Sequence, residues 1–170
     1  MEKMTSWHVG VAAEAFAAAQ FARFRYDVSV QYGANQPEYD LIAVSGEKML
    51  KISVKGSQDG GWGLTQSYKK GCDYHEAIQK WLKSHHKKTI FCLVQFKGVE
   101  DYEMPRMYLA SPEEIADIMN ASAGGRGETV LKEYHQWGPR AAGSGTVDRI
   151  PDEWKFTAER AKYMFETYGK

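Results

Sequence analysis

Two neighbouring segments of the chain alternate apolar and polar residues, which is the pattern of half-buried β-strands. They are residues 39–44, YDLIAV, and residues 49–55, MLKISVK, and a Ser-Gly-Glu-Lys turn joins them. Glycine at the first position of a two-residue loop favours a type II′ hairpin, and such a loop fixes the strand register. The sequence therefore predicts a β-hairpin in which Ser45 lies opposite Lys48.

The predicted register gathers three polar side chains at the open end of this hairpin. Successive side chains of a strand point to opposite faces, so residues two apart share a face. Counting from the turn, Asp40 falls opposite Ser53, and Lys55 lies two residues further along the same face. We therefore expect Asp40, Ser53 and Lys55 to crowd one end of one sheet face, close enough to share a metal ion and a phosphate.

The segments around the hairpin predict a mixed set of helices and strands. An Ala-rich run over about 5–24 favours a helix, and residues 27–32 alternate as a strand. A capping box of Asp73 and Glu76 opens an amphipathic helix, and the apolar run at 89–96 is typical of a buried central strand. The predicted order is helix, three strands, helix, strand.

The C-terminal third continues this alternation without any recognisable chemistry. A strand is predicted at 106–110, and the capping sequence that starts at Ser111 opens a helix. Another strand is predicted within 128–137, residues 138–153 are expected to be irregular, and Thr157 caps a last helix.

Length and composition limit the class of protein. We expect a single domain over residues 1–170, with a core over about 5–97 and a C-terminal elaboration over about 98–170. The 22 basic residues balance the 22 acidic ones, so binding to nucleic acid would need a local basic patch. Neither the N-terminus nor the Ala-rich run contains an uninterrupted apolar core, so we expect a soluble, cytoplasmic protein with no membrane contact.

The hairpin resembles the signature of a known nuclease superfamily. Residues 37–40, PEYD, and residues 53–55, SVK, are similar to the two halves of the PD-(D/E)xK motif, and the resemblance covers about 8–97. It implies an α/β (α+β) fold of the restriction-endonuclease-like type, whose αβββαβ core is a mixed central sheet flanked by helices. A C-terminal helical elaboration would follow. It also implies a metal-dependent endonuclease that hydrolyses phosphodiester bonds of DNA and uses Mg²⁺ or Mn²⁺.

The resemblance also assigns roles to individual residues. Asp40 and Glu14 would hold the metal ion, and Lys55 would act on the scissile phosphate and the attacking water. Gly10 and Glu14 match the Gly-x-x-x-Glu that resolvase-like members carry on their first helix. Ser53 departs from the pattern, because the superfamily usually has an acid there and a hydroxyl is a weaker ligand for Mg²⁺.

Further residues are candidates for the site and for contacts with DNA. Gln58, in the Gly-rich loop after Lys55, is expected to reach back into the site. The densest basic clusters flank the second helix and would contact phosphate groups, although cations at a helix end are also common on surfaces without a ligand. These clusters consist of Lys69, Lys70, Lys83, Lys87 and Lys88.

Three interpretations stay open at this stage. The first is an active deoxyribonuclease, and the second is a degenerate nuclease fold that binds nucleic acid or a protein partner without cleavage. The third is an unrelated α/β domain in which Asp40 merely ends a strand and Glu14 lies on the exposed back of a helix, because a fold does not fix a function. A homodimer is also left open. No Ser-His-Asp pattern or phosphate-binding loop supports another enzyme class.

Overall fold

A five-stranded mixed sheet flanked by helices forms the centre of the protein. The computed structural model describes residues 2–31, 38–85 and 87–170. Within them the helices are α1 (Ser6–Arg23), α2 (Tyr74–Ser84), α3 (Pro112–Ala121) and α4 (Ala158–Tyr168). The strands are β1 (Asp27–Val30), β2 (Leu41–Ser45), β3 (Lys48–Ser57), β4 (Gly61–Gly63), β5 (Thr89–Gln95), β6 (Arg106–Ala110), β7 (Val130–Lys132), β8 (Tyr134–Gln136) and β9 (Val147–Arg149).

The central sheet has the strand order β1-β2-β3-β5-β6. Its neighbours are antiparallel except β3 and β5, which run parallel because α2 carries the chain back across the sheet between them. The predicted order of helix, three strands, helix and strand is therefore confirmed for the strands of the central sheet, and so is a mixed sheet flanked by helices. The short strand β4, which belongs to another sheet, was not predicted between β3 and α2.

The hairpin of β2 and β3 has the predicted register. Ser45 pairs with Lys48, and Leu41 pairs with Ile52 at the other end of β2. Gly46 has a φ of +61°, which glycine adopts without the steric cost that a side chain would add. The local turn thus places the start of β2 beside the middle of β3.

Two hydrophobic cores cover the two faces of the sheet. On one face, Ala13, Ala17 and Phe21 of α1 pack with the alternate residues Ile52 and Val54 of β3. On the other face, α2 and α3 pack against the intervening residues of β5 and β6. The small side chains of α1 let this helix approach β3 closely.

The chain after β6 builds two small sheets that sequence patterns predicted only in part. The single strand expected within 128–137 is instead two strands with different partners, since β7 pairs with β4 and β8 pairs with β9. The change of partner occurs at Glu133, whose N–H donates to Gly60 and whose C=O accepts from Ile150. Residues 138–153 were expected to be irregular, which was wrong where β9 lies. A Gly-rich loop was expected after Lys55, which was wrong at the end of β3 and at β4.

Other expectations about burial and capping are confirmed. Cys92 is fully buried, and Thr157 caps α4 through the N–H of Arg160. Both predicted capping boxes, at Asp73 and Ser111, are formed. Among the described residues, none of the helices combines the length and hydrophobicity needed to cross a bilayer.

Candidate active site

Asp40 is fixed at the start of the β2–β3 hairpin by bonds to β3. Its N–H donates to the C=O of Ile52 at 2.8 Å, and its carboxylate Oδ2 accepts from the N–H of Val54 at 2.7 Å. The side chain of Asp40 thus accepts the hydrogen bond of a β3 N–H just before the first residue of β2. One carboxylate oxygen of Asp40 is used in this way. Because Val54 directly precedes Lys55 in β3, this bond holds the carboxylate beside Lys55.

Ser53 and Lys55 lie on the sheet face that α2 covers. In the parallel pairing, Ser53 lies beside Phe91 and Lys55 beside Leu93, and both apolar partners belong to the core on the α2 side. Ser53 is buried, with 2% of its surface exposed, whereas Lys55 is exposed. Lys55 therefore does not take part in the packing of the core.

Glu14 approaches the same end of the sheet from the opposite side. The helix α1 buries Val9 and Ala13 against the other face, and Glu14 lies half-buried beside this stripe. Burial raises the pKa of Glu14, the negative charge of Asp40 raises it further, and the positive charge of Lys55 lowers it. Glu14, Asp40 and Lys55 therefore influence one another electrostatically, although three different elements carry them.

A cleft of about 380 Å³ opens beside Lys55. One wall is the first turn and a half of α1, the other is the end of β3, and the floor is formed by β4. The two carboxylates neighbour the cleft: Asp40 binds Val54 of its wall, and Glu14 is one turn beyond Gly10. The lining comprises Ser6, Val9, Gly10, Val54, Lys55, Gly56, Ser57, Gln58, Asp59, Gly61, Trp62, Gly63 and Leu64.

Gln58 and Trp62 hold the walls of this cleft in place. The side-chain amide of Gln58 is paired with the backbone of Met4, with Nε2 donating to the C=O at 2.7 Å and Oε1 accepting from the N–H at 3.2 Å. In this structure the amide therefore binds the segment before α1, not the carboxylates. Trp62 is 3% exposed, and its Nε1 donates to the C=O of Lys55 at 3.0 Å, so it packs on its own domain and is not free to stack on a base.

The five candidate lysines around α2 are spread over a larger surface. Lys69 donates to the C=O of Cys72 at 2.8 Å and lies over the ring of Tyr74, whereas the other four are exposed. Lys87 and Lys88 directly precede β5, whose first residue pairs with Lys51. Lys51 lies four residues before Lys55 in β3, so the start of β5, which Lys87 and Lys88 precede, is about 13 Å from Lys55 along the strand.

A hydrogen bond that sequence patterns could not reveal supports the segment before Asp40. Nδ1 of His85 lies 2.7 Å from Oε1 of Glu38, and the imidazole packs against the rings of Trp81 and Phe91. The two residues are 47 positions apart, so no local spacing predicts the contact. This pair attaches the chain just ahead of Asp40 to the end of α2, where it acts as a positioning contact.

The donors for a metal ion at this site are few. Within residues 2–31, 38–85 and 87–170, there is no group of three His, Cys, Asp or Glu side chains arranged to hold a metal. The charge of Glu14 interacts with those of Asp40 and Lys55. Asp59 is a further carboxylate in the lining of the cleft, where it closes the turn between β3 and β4. Any metal ion at this end of the sheet would have to take further oxygen ligands from water or from a substrate.

Comparisons with known proteins leave the family unassigned. No family model matches the chain, and a search of curated proteins gave no match. A solved structure of the bacterial homing endonuclease I-Ssp6803I is similar with a TM-score of 0.47 and 15% sequence identity, covering 98% of this chain and 95% of that chain. Similarity at this level does not decide a function, and the proposals below rest on the residues of this chain.

Proposed function

We propose that the protein is a metal-dependent endonuclease that hydrolyses phosphodiester bonds of DNA. The observation that carries this proposal is the placement of Asp40, whose carboxylate is held 2.7 Å from the N–H of Val54, next to Lys55. Glu14 adds a second carboxylate within electrostatic reach of both groups. Two acids and one amine beside an open cleft match the charges that a phosphodiester and its attacking water require.

The two carboxylates suit Mg²⁺ or Mn²⁺ as a cofactor. Magnesium in phosphoryl-transfer sites is commonly held by one or two carboxylates, with waters and substrate phosphate completing its shell. Glu14 and Asp40 are the residues that would hold it, and the bond to Val54 takes only Oδ2 of Asp40. When bound, the ion would neutralise charge on the phosphate and lower the pKa of a coordinated water.

Lys55 is the residue that would touch the substrate directly. Lys55 is exposed and lines the cleft, and its C=O accepts from Nε1 of Trp62 at 3.0 Å. From this position the amine would donate to a phosphate oxygen and orient the attacking water. The first turn of α1 faces the same cleft, and the partial positive charge of a helix N-terminus favours a phosphate there.

A plasmid cleavage assay in Mg²⁺ tests this function. Lys55→Ala should lower the rate at least about a hundredfold, because it removes a positive group that stabilises the transition state. Asp40→Asn should do the same, whereas Lys48→Ala, an exposed lysine at the far end of β3, should not change the rate. Cleavage that persists in both Lys55→Ala and Asp40→Asn would refute the assignment.

A nuclease fold that binds DNA without cutting is the second candidate function. Ser53 places a neutral hydroxyl where a third carboxylate would strengthen metal binding, and the described residues contain no three-ligand cluster. If this is the function, the purified protein binds DNA, its thermal stability does not respond to Mg²⁺, and no plasmid is cut. Stabilisation by Mg²⁺ that is lost in Asp40→Asn would exclude it.

A further inference from the structure

A second hollow lies directly next to the cleft at Lys55. Its volume is about 410 Å³, and it shares the wall residues Asp59, Gly61 and Gly63 with that cleft. The two depressions are therefore neighbours across β4. The lining of the second hollow comprises Asp59, Gly60, Gly61, Gly63, Gln66, Lys97, Val130, Lys132, Tyr134 and His135.

The charges in this hollow favour an anion. Lys97 and Lys132 line it, and neither forms a salt bridge with another described residue. The carboxylate of Asp59 accepts from the hydroxyl of Ser57 at 2.9 Å and from Gly61 N–H at 3.3 Å, so it closes the turn between β3 and β4. The carboxylate of Glu133 interacts electrostatically with Lys97, and it already accepts hydrogen bonds from Arg106 and Tyr108. The two lysines thus line a surface whose neighbouring carboxylates are already hydrogen-bonded.

The side chains of the two lysines lie close to Gly60 and Gly61, which carry no side chains of their own. Gly60 has a φ of +95°, and a Cβ at this position would lie 3.3 Å from Nζ of Lys97. A Cβ at Gly61 would lie 3.6 Å from Cδ of Lys132, which pairs with Gly61 across the small sheet. Because no side chain projects from these glycines, the side chains of Lys97 and Lys132 can lie directly against the turn, which brings the two lysines close to the same stretch of backbone.

A buried amide fixes the floor of the hollow. Oε1 of Gln95 accepts from the N–H of Gly60 at 3.3 Å and from the N–H of Lys97 at 3.1 Å. Gln95 is completely buried, so the position of both segments is set by the core and not by the solvent-exposed loop. This hydrogen-bonding holds Lys97 next to Gly60 before any ligand binds.

We infer that Lys97 and Lys132 form a phosphate-binding track on which a DNA strand runs after it leaves the cleft at Lys55. The inference rests on the proposed function and names where its substrate lies. The two depressions are adjacent across their shared wall, and two lysines beside a glycine turn match the regular phosphates of a DNA backbone. Lysines contact phosphates as point charges, so the track adds affinity without reading sequence.

The track is tested by measuring the affinity for a labelled DNA duplex in EDTA. Fluorescence anisotropy gives this affinity at a series of salt concentrations. Lys97→Ala with Lys132→Ala should weaken binding about tenfold or more at low salt and reduce the slope of log K against log salt by about 2, since each phosphate contact contributes about 0.9. The matched control is Lys48→Ala with Lys162→Ala, which removes the same charge from exposed positions in β3 and α4. Control binding should stay within about twofold of wild type.

The outcomes separate this inference from the proposed function. If the Lys97 and Lys132 double variant binds like the control while the wild type still cuts DNA, the track is refuted and the nuclease stands. If the double variant loses affinity but no form of the protein cuts DNA, the track stands and catalysis is refuted. Absence of any DNA binding by the wild type would overturn both. Thermal unfolding of each variant should match wild type, because within the described part of the chain the substituted lysines form no salt bridge except that of Lys162 with Glu166.

Discussion

Replacing Ser53 with aspartate tests the proposed metal site more sharply than removing a residue does. Ser53 lies one residue beyond the pair of Ile52 with Leu41, and is therefore opposite Asp40, and it is 2% exposed. Residues opposite each other in a sheet have Cβ atoms about 5 Å apart, so the new carboxylate would face that of Asp40. At an effective dielectric constant of about 20, two like charges at about 5 Å repel by about 3 kcal/mol.

Without a metal ion, Ser53→Asp should therefore lower the free energy of unfolding by about 3 kcal/mol. In a domain of this size, that loss corresponds to a decrease in Tm of about 6 to 12 °C. A metal ion between the two carboxylates reverses the repulsion, and an ion at a hundred times its Kd restores about 2.7 kcal/mol. Aspartate is preferred to glutamate because the buried position leaves no room for a further methylene group.

The assay is thermal unfolding in EDTA and in a titration of Mg²⁺ or Mn²⁺, followed by plasmid cleavage. Ser53→Asn is the matched control, since it has nearly the same shape as aspartate but no charge. We expect Mg²⁺ to raise the Tm of Ser53→Asp by several degrees and to increase its cleavage rate above wild type, with little effect on Ser53→Asn. If both variants lose the same stability and neither responds to metal, then no metal ion binds opposite Asp40.

Three further predictions concern the same end of the sheet. Burial raises the pKa of Glu14 above 4.5, so its ionised form costs stability at higher pH, and Glu14→Gln should be more stable than wild type at pH 7 in urea unfolding. The difference should close as the pH falls through the raised pKa towards 4.5. Lys55→Ala should abolish plasmid cleavage yet keep any stabilisation by Mg²⁺, because the lysine is not a metal ligand. Gly56→Ala should cost about 1 to 3 kcal/mol, since its Cβ would lie 2.8 Å from Cβ of Ala13, whereas Gly10→Ala, which meets no atom within 4 Å, should be neutral or stabilising in the same unfolding assay.

The hairpin was predictable because its determinants are local. The two-residue turn and the alternation of apolar residues specify the register within one stretch of chain, and that register brings Asp40 to β3. The helix capping boxes at Asp73 and Ser111 were predictable for the same reason. By contrast, β4 is a Gly-Trp-Gly segment of three residues, and its pairing with β7 joins positions about 70 residues apart. Such short, glycine-containing strands have no strand propensity of their own and form only when the core places them together.

Contacts between side chains of different helices and strands likewise could not be predicted from the sequence. Spacing alone left Glu14 on either the exposed or the inner side of its helix, and only the packing of Ala13 on Gly56 places it near Asp40. Gln58 was expected to face the site, but the short segment before α1 supplies both partners of its amide. Whether a polar side chain meets a substrate or a backbone group depends on what the rest of the chain puts beside it.

The position of the basic residues decides how a duplex would lie on the protein. A strand that binds at Lys55 reaches the hollow of Lys97 and Lys132 at once, because the two depressions share a wall. Lys87 and Lys88 lie at the level of Lys51, about 13 Å along the sheet, which spans about four phosphates of one strand. A duplex fixed by the hollow therefore meets Lys87 and Lys88 only if it crosses the sheet in the strand direction. The direction of the duplex can be read from the slope of log K against log salt in Lys87→Ala with Lys88→Ala, compared with the slope in the Lys97 and Lys132 double variant. If both double variants reduce the slope equally, the duplex follows β3. If Lys87→Ala with Lys88→Ala leaves the slope unchanged, the duplex turns away along β4.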